Sequence, residues 1–230
     1  MMRTMSGLEV SAWLSATDLG QLRELGALRS LPVGSTLFVE GDAPYDLMII
    51  ETGDVKVVTT ALNGQETLLE VLGAGEVIGE LSAIDGAHRS ATAVALTPVE
   101  LTTIPVARFL EFLEASPSTM AALLAVLVER LRRSNRRQLE YATTDALGKV
   151  CARLDELAER YGHVERAEGE GAGVVIELPI TQSELAQWCG LSREAVVKAL
   201  RKLRNLGWVS TEEGRLTIDD RDAVRRRGGL

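Results

Sequence analysis

The sequence predicts an α+β chain: a strand-rich region, one long helix, then a compact helical region closed by a hairpin. Three observations carry that prediction. Turn signals at Gly41-Asp42, Gly53-Asp54, Asn63-Gly64 and Gly73-Ala74-Gly75 recur roughly every ten residues, the rhythm of an all-β barrel or sandwich. From Met120 to Tyr141, seam residues fall alternately four and three apart. Two short, capped helical patterns then meet at Gly190.

The 230 residues allow one large or two small domains, and 46% hydrophobic with 25% charged residues is ordinary for a soluble globular protein. A net charge of −8 excludes a wholly basic nucleic-acid coat protein. From Pro179 onward, however, ten Lys and Arg face seven Asp and Glu, a balance of +3 that leaves −11 for the rest. Cys151 and Cys189 lie far apart in apolar helical patterns, so they read as small buried hydrophobes in a reduced cytosol. They form no metal-ligand spacing with His88 and His163, and no metal site is expected. The N-terminus lacks a signal pattern and no apolar run reaches membrane length. A soluble cytoplasmic protein is expected.

Residues 10–31 show leucines and small residues at helical spacing, with Thr17-Asp18 as a helix cap, until Pro32 and Gly34 end the pattern. Residues 33–108 read as short strands, with Asn63-Gly64 as a type I′ hairpin turn. A short helix is expected at 105–115, and Ser116-Pro117 starts a longer one through Tyr141. Its seam is Met120, Leu124, Leu127, Leu131, Ser134, Gln138 and Tyr141, the signature of helix pairing and hence of a symmetric homodimer. The run Arg130, Arg132, Arg133, Arg136 and Arg137 reads as solvated helix surface. Thr143-Thr144-Asp145 caps a helix from Ala146 to Tyr161 and marks a domain boundary. Residues 162–173, rich in Gly and Glu without an apolar period, read as a mobile loop.

In the C-terminal region Thr181 and Glu184 make a capping box, Gly190 the turn, and Ser192 a second cap. Val196, Leu200 and Leu203 form the inner stripe of the second helix, and Arg193, Glu194, Val197, Lys198 and Arg201 lie off it. Two helices of this kind, with Trp208 to Ser210 and Arg215 to Ile218 as a hairpin around Gly214, make a winged helix-turn-helix. The terminal Arg225-Arg226-Arg227-Gly228-Gly229 reads as a frayed tail.

The stretch VIGELSAIDGAHRSATAVA, residues 77–95, carries the chemistry. Gly79 lets a backbone turn approach a ligand, Arg89 offers a planar charged fork suited to phosphate, and Ser90 adds a hydroxyl. Glu80 would repel phosphate, so its use there is to accept hydrogen bonds from sugar hydroxyls. On the residues alone, a hairpin with a solvated Arg89 fits as well.

The G-E-L of Gly79-Glu80-Leu81 and the R-S-A of Arg89-Ser90-Ala91 resemble the phosphate-binding cassette of cyclic-nucleotide-binding domains. With the helix-turn-helix and its S-R-E run at Ser192-Arg193-Glu194, nearly the whole chain resembles the cyclic-AMP receptor protein/FNR family of bacterial transcription regulators. The resemblance implies a double-stranded β-helix (β-roll) cyclic-nucleotide-binding domain over residues 1–116. A dimerisation helix and hinge would follow over 117–144, and a winged helix-turn-helix DNA-binding domain over 145–230. It further implies cyclic AMP as allosteric ligand. Val57 and Leu72 would wall the pocket, with Gly79, Glu80, Leu81, Arg89, Ser90 and Ala91 as its cassette. Ser134 and Asn135, where relatives carry Thr-Ser or Thr-Asn, would read the base across the dimer. Thr181, Ser183, Ser192, Arg193, Glu194 and Lys198 would contact double-stranded operator DNA, Thr181 and Ser192 through phosphate. Lys198 replaces a family arginine, so the half-site can depart from the usual TGTGA. RNA polymerase is the implied further partner. The missing N-terminal cysteine cluster argues against the oxygen-sensing iron–sulfur branch. No activated nucleophile or paired acid and base is discernible, so no enzyme is expected. Two rivals remain open: a regulator acting without nucleotide or with another ligand, and a nucleotide sensor working through protein partners.

Overall fold

In the computed structural model, the described residues are 15–61, 64, 66–166, 172–177, 180–212 and 215–229. They divide into two compact units that part between Arg133 and Ser134. Asn63 of the expected hairpin turn and Gly214 of the expected wing turn lie outside the described residues.

The first unit opens with α1 (Ala16–Glu24), capped by Ser15, whose Oγ accepts from the Asp18 amide at 3.1 Å. Two expectations are corrected here. The cap is Ser15 rather than Thr17-Asp18, and the helix does not run through residue 31. Instead β1 (Ala27–Leu31) pairs antiparallel with a later strand, from Ala27 opposite Thr103 to Leu31 opposite Val99. Backbone pairing with a distant strand overrides the local helical spacing of the leucines.

Next come β2 (Thr36–Phe38), β3 (Asp46–Thr52), β4 (Val55–Thr60), β5 (Glu66–Leu72) and β6 (Val77–Ile78). After the short α2 (Glu80–Asp85), β7 (Thr92–Ala95) and β8 (Val99–Pro105) complete two four-stranded antiparallel sheets, ordered β1-β8-β3-β6 and β2-β7-β4-β5. This is the β-roll architecture the sequence predicts, with the strands ending at Pro105 rather than at residue 108. Strand β3 is buried on both faces. Met48 and Ile50 enter a core with Val55, Leu72, Ile78, Ala93 and Leu101, while Leu47 and Ile49 enter a second core with the helices. Because strand side chains alternate, one continuous apolar run serves both cores.

Helices α3 (Val106–Ala115) and α4 (Pro117–Thr143) follow as expected, α4 two residues longer. Thr119, Ala122, Leu123 and Val126 of α4 are buried on the helix side of the roll. Of the expected seam, Leu127 packs against the core of the roll, whereas Met120, Leu124 and Leu131 lie beside the stripe and are 39%, 55% and 61% exposed. The helix therefore carries one satisfied apolar face and one unsatisfied one.

The second unit takes in the end of α4 and is built around α5 (Ala146–Tyr161), whose Asp145 cap accepts from the Gly148 amide at 3.0 Å. The expectation of a mobile loop over 162–173 is corrected at both of its ends, while residues 167–171 lie outside the described residues. β9 (Gly162–Arg166) and β10 (Ala172–Glu177) pair antiparallel, with Val164 opposite Val174. Glycine here marks close approach rather than looseness, since a Cβ on Gly173 would lie 2.7 Å from Thr217 Cγ2. Helices α6 (Gln182–Cys189) and α7 (Arg193–Asn205) precede β11 (Val209–Glu212) and β12 (Arg215–Ile218), completing a sheet ordered β11-β12-β10-β9.

The arginine-rich end is also corrected: it is α8 (Arg221–Gly228), not a frayed tail. Val224 is fully buried, and a Cβ on Gly228 would lie 3.0 Å from the Ala152 amide nitrogen, so α8 lies close on α5. Arg227 Nη2 donates to both Asp145 carboxylate oxygens at 2.6 Å, and Arg221 Nε donates to Asp155 at 2.8 Å. Apolar spacing alone understates this helix because ion pairs to Asp145 and Asp155 add to its packing.

Cys151 and Cys189 are fully buried, as expected. Burial pushes their thiols from 9.0 up to about 11 and about 12. Both therefore stay protonated at neutral pH, and their contribution to stability is complete below 9 and lost as pH rises through those raised values. The native protein is expected to resist iodoacetamide at about pH 8 and to take up two labels on unfolding in urea. Rapid native labelling, followed by mass spectrometry, would contradict the sealed environment.

Candidate ligand pocket and nucleic-acid interface

Strand β6 ends at Gly79, whose φ of +86° lies in the left-handed region. A Cβ there would sit 2.5 Å from Arg89 Nη1, so the turn needs glycine for conformation and for space. The Arg89 backbone is pinned to the Gly41-Asp42 turn, its amide donating to Asp42 O and its carbonyl accepting from the Gly41 amide, both at 2.8 Å. Its side chain is buried. Nη1 donates to Gly79 O and Ser82 Oγ at 2.9 Å, and Nη2 donates to Asp46 O at 2.5 Å and Asp46 Oδ1 at 3.0 Å. The guanidinium carbon lies 4.3 Å from the Phe38 ring centroid. Burial lowers the Arg89 pKa, with Asp46, Glu80 and Asp42 pulling the other way. Nε is buried without a hydrogen-bond partner among the described residues, so one donor of a fixed fork is left over.

Glu80 is buried and ion-paired with Arg130 Nη1, while Arg130 Nη2 donates to Val77 O at 2.5 Å. Burial works against the Arg130 charge, but Glu80, Glu70 and Glu76 together outweigh it and raise its pKa. Reading Arg130 as solvated surface is thus corrected, because Arg130, one turn beyond the core stripe of α4, is claimed by the buried Glu80 carboxylate. Arg137 is corrected likewise. It donates to Glu156 Oε1 at 2.9 Å and lies 5.7 Å from the Trp188 ring centroid. Arg132 and Arg133 stay near the surface in pairs with Glu129.

The structure therefore brings together Gly79, Glu80 and Arg89, and adds three residues that sequence reasoning missed: Asp46, Ser82 and Arg130. Leu72 is buried and Val57 half-buried in the core between the sheets, where Phe38 also packs. Ala91 is buried, while Leu81 and Ser90 are exposed. Ser134 and Asn135 are exposed on α4, in the second unit.

In that second unit the capping box is complete. Thr181 Oγ1 accepts from the Glu184 amide at 3.2 Å, and Glu184 Oε2 accepts from the Thr181 amide at 2.7 Å. Gly190 turns the chain at φ +62°, and Ser192 Oγ accepts from the Ala195 amide at 3.2 Å to start α7. Val196, Ala199, Leu200 and Leu203 are buried, which turns Arg193, Glu194, Val197, Lys198, Arg201 and Arg204 outward around a shallow depression of about 500 Å³. The Glu194 carboxyl is held below the usual range by its own backbone amide and the Ser192 hydroxyl, so it stays an ionised acceptor at neutral pH. Thr181, Ser183 and Ser192 are exposed at the helix starts.

Residues 28–116 match the cyclic nucleotide-binding domain family, and residues 148–227 match the Crp-like helix-turn-helix domain family. The CRP-like cAMP-activated global transcriptional regulator of Mycobacterium tuberculosis is 35% identical over 96% of this chain and 94% of its own. The chain belongs to the CRP/FNR family of transcription regulators. Among solved structures, FixK2 from Bradyrhizobium japonicum matches with a TM-score of 0.76 at 17% identity, over 87% of this chain and 96% of that one. The c-di-GMP responsive global regulator CLP from Xanthomonas campestris matches at 0.74 and 23% identity, over 89% and 99%. As in other CRP/FNR members, a nucleotide-binding β-roll domain precedes a helix-turn-helix DNA-binding domain. Among the described residues no single helix is long and apolar enough to cross a membrane.

Proposed function

We propose that this CRP/FNR protein is a homodimeric cytoplasmic regulator that binds cyclic AMP and, in response, a pseudo-palindromic DNA operator. The observation that carries the ligand half is the buried Arg89 fork at the Gly79 turn, with Nε left over for a singly charged cyclic phosphate. Glu80, positioned by Arg130, would accept from the ribose 2′-hydroxyl, and the amides near Gly79 and Ala91 would assist at the phosphate. Val57 and Leu72 would wall the pocket beside Leu81, Ser90 would join Arg89 at the cyclic phosphate, and Ser134 and Asn135, one of them from the partner chain, would offer a hydroxyl and an amide to the base. The exposed Met120, Leu124 and Leu131 supply the apolar seam for a second copy. Residues 1–116, 117–144 and 145–230 then act as ligand domain, dimer helix with hinge, and DNA reader. The mycobacterial relative's name, cAMP-activated, supports this ligand.

Calorimetric titration with cyclic AMP and, separately, cyclic GMP tests the reading. Tight binding of cyclic AMP alone supports it, and no heat from either nucleotide rejects it. A second reading, another ligand or none, is favoured by one observation: Asp46 already neutralises part of the Arg89 charge. The c-di-GMP named for the Xanthomonas relative is the first alternative to titrate.

On DNA, Arg193 would read guanine, Glu194 would accept from cytosine N4, and Lys198 would add a point charge, with Thr181, Ser183 and Ser192 at phosphates. RNA polymerase would be the downstream partner. Arg193→Ala is expected to lose about 1–3 kcal/mol of discrimination at its base pair, read by competition between operator and single-base variants. Unchanged selectivity would reject α7 as the reading helix.

A further inference from the structure

Resting on α7 as the base-reading helix, we propose that Val197 is a specificity-determining residue that reads the methyl group of a thymine in each half-site. Val197 is 42% exposed, an apolar side chain in the middle of an otherwise charged face. It lies four residues after Arg193 and three after Glu194, so all three share one side of the helix. Lys198 and Arg201 flank it, and with Arg193 and Arg204 they outnumber Glu194 four to one around the depression, a surface that suits a polyanion. Packing gives Val197 no reason to be apolar, since the core stripe is Val196, Ala199, Leu200 and Leu203. Helix propensity gives none either, because a β-branched residue is a poor choice for an exposed helix position.

The major groove explains it. Among its base edges the thymine C5 methyl is the one apolar group that projects into the groove, so an apolar side chain placed on it discriminates one base. Four residues, about 6 Å along the helix, separate Val197 from Arg193, and base pairs succeed one another about every 3.4 Å. The thymine read by Val197 therefore lies one or two steps from the pair read by Arg193. Arg204 is held toward the hairpin by its 2.9 Å bond to Thr211 Oγ1, which leaves the ground next to Val197 to Lys198 and Arg201.

The test uses an operator selected with the full protein, and a series in which each thymine is replaced singly by deoxyuridine, removing only the methyl. At one thymine per half-site the parent is expected to bind about four-fold more weakly after replacement, the worth of one buried methyl group. Val197→Ala, a helix-compatible change on the solvent face, is expected to bind the thymine and deoxyuridine forms equally. A flat series for the parent, or an equal loss in both proteins at the sensitive position, overturns the assignment. Arg193→Ala run beside it separates the two levels. If it loses selectivity while the series is flat, Val197 alone is refuted. If it selects the same operator as the parent, the reading helix is refuted and Val197 with it.

Discussion

Replacing Glu80 with glutamine is expected to lower the unfolding free energy by about 3 kcal/mol, because it strips the counter-charge from a half-buried arginine. The pair itself is no large source of stability, since burying two charges costs roughly what their attraction returns. Removing one partner is different. Arg130 then keeps its charge and its bond to Val77 O, with Glu70 and Glu76 as the remaining compensation. Its side chain is 16% exposed against 2% for Glu80, so water can relieve part of the cost. Urea denaturation measures the loss. The double substitution Glu80→Gln with Arg130→Gln is expected to recover a good part of it, as no ion is then stranded. A single-variant loss under 1 kcal/mol would mean that Arg130 finds its solvation elsewhere.

Arg89→Ala is expected to weaken cyclic-nucleotide binding by roughly a hundred-fold, about the value of one or two charge-assisted hydrogen bonds. Arg89→Lys is expected to fare little better. A single ammonium cannot hold Gly79 O and Ser82 Oγ on one side and Asp46 on the other while presenting a third donor. Because Arg89 also ties the turn to β3, thermal melting accompanies the titration. A variant that melts with a normal cooperative transition and binds like the parent would dismiss Arg89 as the phosphate anchor.

Much of this was legible in sequence because local physics decides it. The caps at Asp145, Thr181 and Ser192 need only a short polar side chain and three following residues, and all three fall where the sequence puts them. Gly79, Glu80 and Arg89 come together as expected because a six-residue helix and a turn join them. What stayed hidden depends on partners far along the chain. Asp46 opens an apolar strand and looks like turn chemistry until β3 brings it to Arg89. Arg130 sits among four other arginines, and only the buried Glu80 carboxylate, fifty residues earlier, sets it apart. The same holds for β1, β9 and α8, whose sequences carry weak periodicity and whose places are fixed by strand pairing or by ion pairs with α5.

Strand β3 has a mechanical consequence. Interiors packed like molecular crystals yield little, so a shift on one face of a strand cannot be absorbed within its thickness. Met48 and Ile50 feel whatever repacks the interior of the roll, and Leu47 and Ile49, on the same backbone, press on the side chains that seat Ala122, Leu123 and Val126. The strand is thus a party wall. Pressure applied in one room moves the furniture in the other, with no side chain reaching across.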